Sequence, residues 1–145
     1  MVKERFTIGA TDDMREIRHE VFEVEQGFHD EFDDLDSSCW CLVLYLDGYP
    51  ISCGRIVEQD PETYLIQRVA VRAPFRGKKV GTYTMKYLMN KILSLGGRIA
   101  IVHAQYDKLD FYKKLGFREY ENGEVHLEEG YPHIYVRKYL GKKRR

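Results

Sequence analysis

A chain of 145 residues has room for one domain with one sizeable core, and its 23 Lys and Arg cancel 23 Asp and Glu to a formal charge of zero. That balance excludes a chain-wide attraction to nucleic acid or to an anionic membrane surface. Eleven tyrosines exceed what a minimal core needs, so some of them are expected to line a cleft.

Phe6 to Ile8 reads as a short first strand. Thr11 stands as the N-cap of a helix with Asp12 and Asp13 in its first turn, and Met14, Ile17, Val21 and Val24 recur at helical steps to form one apolar face. Arg18, Phe22 and Glu25 share the neighbouring face, and the helix is expected to stop near Gly27. His29 to Asp36 holds five carboxylates and reads as a loop or a short helical turn, either solvated at the surface or forming an acidic wall that attracts a cationic substrate. Trp40 to Leu46 is a β run, Asp47-Gly48 signals a hairpin, and Tyr49 to Val57 returns, with Pro50 calling for an edge or a bulge because it donates no ladder bond. After a turn at Gln59 to Glu62, Tyr64 to Val71 is the third strand of this meander.

From Gly81 onward Met85, Leu88, Ile92 and Leu95 mark a helix that ends at Gly96-Gly97. Ile99 to Val102 is an unbroken apolar strand, and strand–helix–strand makes a βαβ crossover with the two strands parallel. A short helix from about Asp107 to Leu115 is closed by Gly116; Phe117 to Tyr120 and His133 to Tyr139 are the last strands, separated by Asn122-Gly123 and an acidic linker. The fold class is α+β: a mixed, mostly antiparallel central sheet with one parallel βαβ crossover and helices on both faces. Residues 1–141 form a single domain, and 142–145 are a basic tail.

The three cysteines make an odd set, and Cys39 and Cys41 at i, i+2 suit neither a C-x-x-C redox pair nor a zinc ribbon. The start Met1-Val2-Lys3-Glu4-Arg5 lacks the apolar core of a signal peptide, and no apolar run approaches the ~20 residues that span a bilayer. These features read as a cytoplasmic chain with reduced thiols and with neither a membrane nor a nucleic-acid partner.

The stretch with the clearest chemistry runs from Val69-Ala70-Val71 through Arg76-Gly77-Lys78-Lys79-Val80-Gly81-Thr82. Strand, basic glycine-bearing loop and helix start together hold anions. The first N–H groups of a helix have no partner within it, the dipole adds partial positive charge, and Arg76, Lys78 and Lys79 add whole charges.

This run resembles the acetyl-CoA-binding motif of the Gcn5-related N-acetyltransferases (the GNAT family). Ala104-Gln105 followed by Phe111-Tyr112-Lys113-Lys114-Leu115-Gly116-Phe117 resembles the second signature of that family. Ile17-Arg18, Val21-Phe22, Glu25-Gln26, Asp33 and Asp36, with Glu129-Gly130-Tyr131-Pro132-His133, look like the signatures of its small bacterial ElaA/YjcF-like branch. Lys79 departs from the motif, standing where the family usually has Gly, and carries a strain cost if that position needs a positive φ.

The resemblance implies acetyl-CoA as co-substrate, with its pyrophosphate on the loop from Arg76 to Thr82 and its pantetheine arm along Val69, Ala70 and Val71, where the strand splays from its parallel neighbour. Gln105 and Phe111 belong to the same cofactor set, and Tyr112 is the candidate acid for the departing thiolate. Glu25 and His133 are candidate bases, His103 a weaker one, and a water relay is a further route. Arg18, Phe22, His126 and Glu129 are candidate contacts to the acceptor, a small-molecule amine or an exposed amino group. A homodimer is the assembly considered. His126, Glu128, Glu129 and His133 lack established ligand spacing, so no metal is expected. The leading function is an N-acetyltransferase; the alternative is an acetyl-CoA-binding sensor or interaction module with little catalysis.

Overall fold

The computed structural model of the chain describes residues 1–28 and 32–141. Among these, eight strands form one sheet in the order β1-β2-β3-β4-β5-β8-β6, with β7 also paired to β8. The strands are β1 (Val2–Ile8), β2 (Trp40–Leu46), β3 (Tyr49–Asp60), β4 (Thr63–Val71), β5 (Ile99–Gln105), β6 (Arg118–Glu119), β7 (Val125–Glu128) and β8 (Tyr131–Tyr139). Every pairing is antiparallel except β4 with β5. The expected crossover is therefore present, with helix α2 (Val80–Ser94) between its two parallel strands.

Two clusters of apolar side chains hold helices on opposite faces of this sheet. On one, Met14, Ile17 and Val21 pack over Cys41, Val43, Cys53 and Ala70. On the other, Met85, Leu88 and Ile92 of α2 meet Leu42, Leu44, Ile51, Ile56 and Ile66, joined by Tyr112 and Phe117 beside α3 (Leu109–Lys114). Leu42 and Leu44 point to one face while Cys41 and Val43 point to the other, the period of two that a strand buried on both sides requires.

Local signals mostly do what their chemistry predicts. Thr11 accepts a hydrogen bond from the Met14 N–H and starts α1 (Asp12–Arg18). Asp47 and Gly48 both take positive φ, 50° and 86°, the primed turn that matches strand twist. The β2–β3 register shifts between Leu44 and Tyr45, opposite Pro50.

Three expectations need correction. The first strand begins at Val2, four residues early, because its exposed Lys3-Glu4-Arg5 segment is held by backbone pairing to β2 and shows no buried face. The helix does not continue regularly to Gly27. After Arg18 it widens into a π-helical segment, His19–Glu25, which turns Val21 inward and leaves Val24 67% exposed. The acidic linker contains β7, a strand that pairs with β8 and shows little apolar burial. The basic tail, 142–145, lies outside the described residues.

Candidate active site

The site begins where β4 and β5 part. Their parallel pairing runs from Thr63↔Ile99 to Ile66↔Val102 and stops, although β4 continues to Val71 and β5 to Gln105. The cause lies on the other edge of β4. Cys53 pairs with Ala70 but Arg55 with Gln67, so β4 carries one extra residue there, with Arg68 at a φ of 58°. This bulge bends β4 away, whereas β5 stays straight because β8 pairs with it along its length. A cleft of about 780 Å3 fills the divergence, with Val69, Ala70 and Val71 on one wall and Val102, His103 and Gln105 on the other.

At the end of the β4 wall, a turn at Ala73–Phe75 leads to Gly77 (φ 77°) and Lys79 (φ 66°), and α2 starts at Val80. Arg76, Gly77, Lys79, Val80, Gly81 and Thr82 line the cleft, while Lys78 is exposed outside it. A side chain at Gly81 would come within 3.3 Å of the Phe111 ring, so this glycine lets α3 close over the loop. Lys79 holds the left-handed conformation that its glycine-type position implies. Lys79→Gly is expected to raise the unfolding free energy by about 0.5–1 kcal/mol, since the αL cost for a side-chain-bearing residue exceeds the added freedom of the unfolded chain. Urea unfolding of the two proteins checks this; a lower stability in the variant would show that Lys79 is held by contacts that outweigh its strain.

Arg76 does not simply project into the opening. Its Nε donates to the Val71 carbonyl at 2.9 Å and its Nη2 to Glu25 Oε1 at 2.7 Å. Glu25 is thus the loop's neighbour and is not among the residues lining the cleft.

Tyr112 lies deeper, on α3, edge-on to Phe111 and Phe117 at centroid distances of 5.0 and 5.9 Å. It lines the cleft, and burial pushes its hydroxyl up to about 12, so the phenol keeps its proton throughout the neutral range.

His133 lines the opposite end and is buried. Its Nδ1 is 2.8 Å from the Tyr131 carbonyl, which can only accept; Nδ1 therefore carries the hydrogen and Nε2 keeps a lone pair. The β7–β8 turn is fastened above by the Tyr131 hydroxyl, which donates to the Gln26 carbonyl at 2.8 Å, and by Phe28, whose ring lies tilted against Tyr131 at 4.9 Å. Gln26 and Gln105 close the middle of the cleft with a paired amide contact, 2.9 Å for the Gln105 donor.

The structure thus brings Tyr112, His133, Phe22, Glu129 and all the cofactor candidates except Lys78 to one cleft. Arg18 and His126 are not among its lining residues. Arg18 is fully buried, paired to Asp36 through Nη1 at 2.5 Å and Nη2 at 3.1 Å. His126 lies against His103 instead. Where it is described, the acidic stretch is a short helical turn at Asp34–Ser37, with Asp33 and Asp34 exposed and Asp36 buried, and none of its described residues lines the cleft; residues 29–31 lie outside the described residues. Asp36 and Asp33 clamp the buried Arg55 at 2.9 and 2.8 Å, Arg55 holds Gln67 at 2.7 Å, and Asp33 reaches Arg68 at 3.4 Å. The carboxylates therefore brace the bulge that opens the cleft.

Residues that sequence reasoning did not assign to the site include Gln26, Phe28, Arg68, Lys108 and Glu128. Gln26 had a signal in the Glu25-Gln26 pair, but the π-helical turn that aims it inward has none.

The same fold recurs in known proteins. The model of the acetyltransferase (GNAT) family matches residues 10–117. The uncharacterised N-acetyltransferase YjcF of Bacillus subtilis is 32% identical over 124 residues, covering 84% of this chain and 87% of that protein. The crystal structure of Escherichia coli ElaA superposes with a TM-score of 0.82 at 25% identity, covering 95% of this chain and 99% of that one. A GNAT family acetyltransferase from Elizabethkingia anophelis, crystallised with acetyl-CoA bound, has a TM-score of 0.71 at 17% identity, covering 95% and 97%, a likeness of fold alone. With its splayed β4–β5 pair, its basic loop opening α2 and its Tyr112 on α3, this chain belongs to the GNAT family of acetyltransferases, beside the ElaA- and YjcF-like proteins.

Proposed function

We propose that the protein transfers an acetyl group from acetyl-CoA to a primary amine by direct attack in a ternary complex. The carrying observation is the gap between β4 and β5, which frees one edge of β4 beyond Ile66 for an extended, amide-rich ligand such as pantetheine. The N-terminus of α2 and the loop at Gly77–Thr82 then face the pyrophosphate, and a phosphate there competes with Glu25 for Arg76. The acetyl-CoA found in the Elizabethkingia anophelis protein of the same fold supports this reading.

An ammonium has no lone pair, so the amine must first lose a proton, and His133 Nε2 is the base positioned to take it. The amine nitrogen then bonds to the thioester carbon, the C–S bond breaks, and its electron pair leaves on sulfur. Tyr112 gives its hydroxyl hydrogen to that thiolate and regains a proton from the nitrogen, which must shed its second one to become the neutral amide, so CoA leaves as the thiol. No covalent enzyme intermediate is involved: Cys39, Cys41 and Cys53 are buried and none lines the cleft.

His133→Asn is expected to lower kcat/KM about 10²-fold at neutral pH, with recovery as pH rises and the free amine fraction grows. The KM for acetyl-CoA stays unchanged. An unaltered rate removes His133 from this role; no release of CoA thiol with any member of a broad amine panel overturns the acetyltransferase reading. The strained Lys79 favours a second reading, a CoA-binding module with little turnover, which predicts acetyl-CoA binding by calorimetry and an output untouched by Tyr112→Phe.

A further inference from the structure

Beside His133 lies a set of ionisable side chains that the mechanism above does not use. Register places them on one face of three neighbouring strands: His103 opposite Tyr135, Gln105 opposite His133, and His126 opposite His133. His103 Nδ1 stands 3.1 Å from Glu128 Oε1, and His103 Nε2 stands 2.6 Å from His126 Nε2. The His103 ring stacks on Tyr135 at 4.3 Å and meets the His133 ring at 4.8 Å. With a partner at each nitrogen, His103 has no lone pair for an incoming amine. Among the described residues, no group of His, Cys, Asp and Glu here is placed to hold a metal ion.

His133 is only 5% exposed, so the imidazolium that forms when it accepts a proton has little water to stabilise it. A nearby counter-charge must do so. We propose that Glu128, acting through His103, is the counter-ion for the positive charge that His133 acquires during acetyl transfer. Glu128 and His103 are then positioning residues. This rests on His133 being the base.

The step balances simply. One proton passes from the acceptor ammonium to His133 Nε2 and the freed lone pair attacks; as the C–S bond breaks, the nitrogen's second proton replaces the one that Tyr112 gives to sulfur, so the cluster gains one unit of positive charge and the His133 proton returns to solvent after release of product. Protons on neighbouring imidazoles compete, since like charges in contact disfavour one another. The forces on His103 have this form: burial lowers its affinity for a proton, Glu128 raises it, and His133 and His126 lower it. A carboxylate beside Nδ1 holds the hydrogen there, which leaves Nε2 to accept from His126 and fixes the ring that touches His133. The other charged groups lining the cleft are Glu129, Arg68, Arg76, Lys79 and Lys108.

The test is an NMR titration of the histidines in the free protein, with the pH profile of kcat/KM measured in parallel. In Glu128→Gln the His133 midpoint is expected to fall by about 0.5–1 pH unit, with the acid limb of kcat/KM moving the same way and the KM for acetyl-CoA unchanged. Glu124→Gln, an exposed carboxylate upstream of β7, moves neither. In a His103→Gln background, Glu128→Gln no longer shifts His133, because the coupling path is gone. An unmoved His133 midpoint in Glu128→Gln overturns the proposal. So does an equal shift with and without His103, which would make Glu128 act directly. The titration needs neither amine nor acetyl-CoA, so it decides the counter-ion separately from the amine screen that decides the acetyltransferase reading.

Discussion

Asp36→Asn is expected to lower the unfolding free energy by about 3–5 kcal/mol, because it leaves the guanidinium groups of Arg18 and Arg55 buried with their shared carboxylate gone. Arg18, Arg55 and Asp36 are at most 2% exposed, so water cannot substitute for the lost partner. For a chain of this length the melting temperature falls by roughly 10–15 °C. Urea unfolding at neutral pH measures the effect, and a loss below about 1 kcal/mol would show that the two arginines find other partners. The pH dependence has a definite sign. Burial alone pushes the Asp36 carboxyl up, but hydrogen bonds from Arg18 and from the Asp33 backbone outweigh it, bringing it down to about 2 from 3.8. A group depressed on folding stabilises above its unfolded value and loses that contribution as pH falls through the folded one. Wild-type stability should therefore drop between about pH 4 and pH 2, and the variant should drop less. Because Arg55 also holds Gln67, the damage extends to the β4 bulge and hence to the cleft.

The second large effect concerns turnover. Tyr112→Phe should reduce kcat by about 10²-fold or more, the range for a positioned proton donor, and leave the KM for acetyl-CoA nearly unchanged. Stability should hardly move, because the hydroxyl has no protein partner among the described residues that its removal would strand. With the phenol pushed up to about 12, the reduction should be constant from pH 6 to pH 9. Steady-state kinetics beside a thermal melt tests all three statements. A wild-type kcat in the variant would show that the thiolate is protonated from solvent.

Much of the architecture follows from local chemistry that the chain states openly. The Asp47-Gly48 turn, the Thr11 cap, the Gly96-Gly97 stop and the run of Ile99 to Val102 each depend on a few neighbouring residues, and each occurs where its residues predict. The basic, glycine-bearing loop that opens α2 is legible for the same reason, since charge, glycine and a helix start are adjacent in sequence. Even the strain at Lys79 could be anticipated from one substituted position.

What tertiary structure decided is everything that depends on partners far away in the chain. Arg18 and Glu25 share a helical face with Phe22 in the sequence, yet Arg18 is pulled inward by Asp36 and Glu25 is held by Arg76, 51 positions on. A long-range ion pair overrides facial position, and the π-helical widening then rotates the faces that a regular helix would present. β7 shows almost no apolar burial, so no periodicity betrays it; it exists because the outer edge of β8 offers unpaired backbone groups. That pairing is what sets His126 against His103 and Glu128 beside both. By itself the sequence determined the family, the sheet with its one crossover, and the loop that opens α2, because these rest on short-range patterns. Only the fold could decide which histidine keeps a free nitrogen, which carboxylates are structural, and how far β4 stands from β5, because each is settled by packing between segments distant in the sequence.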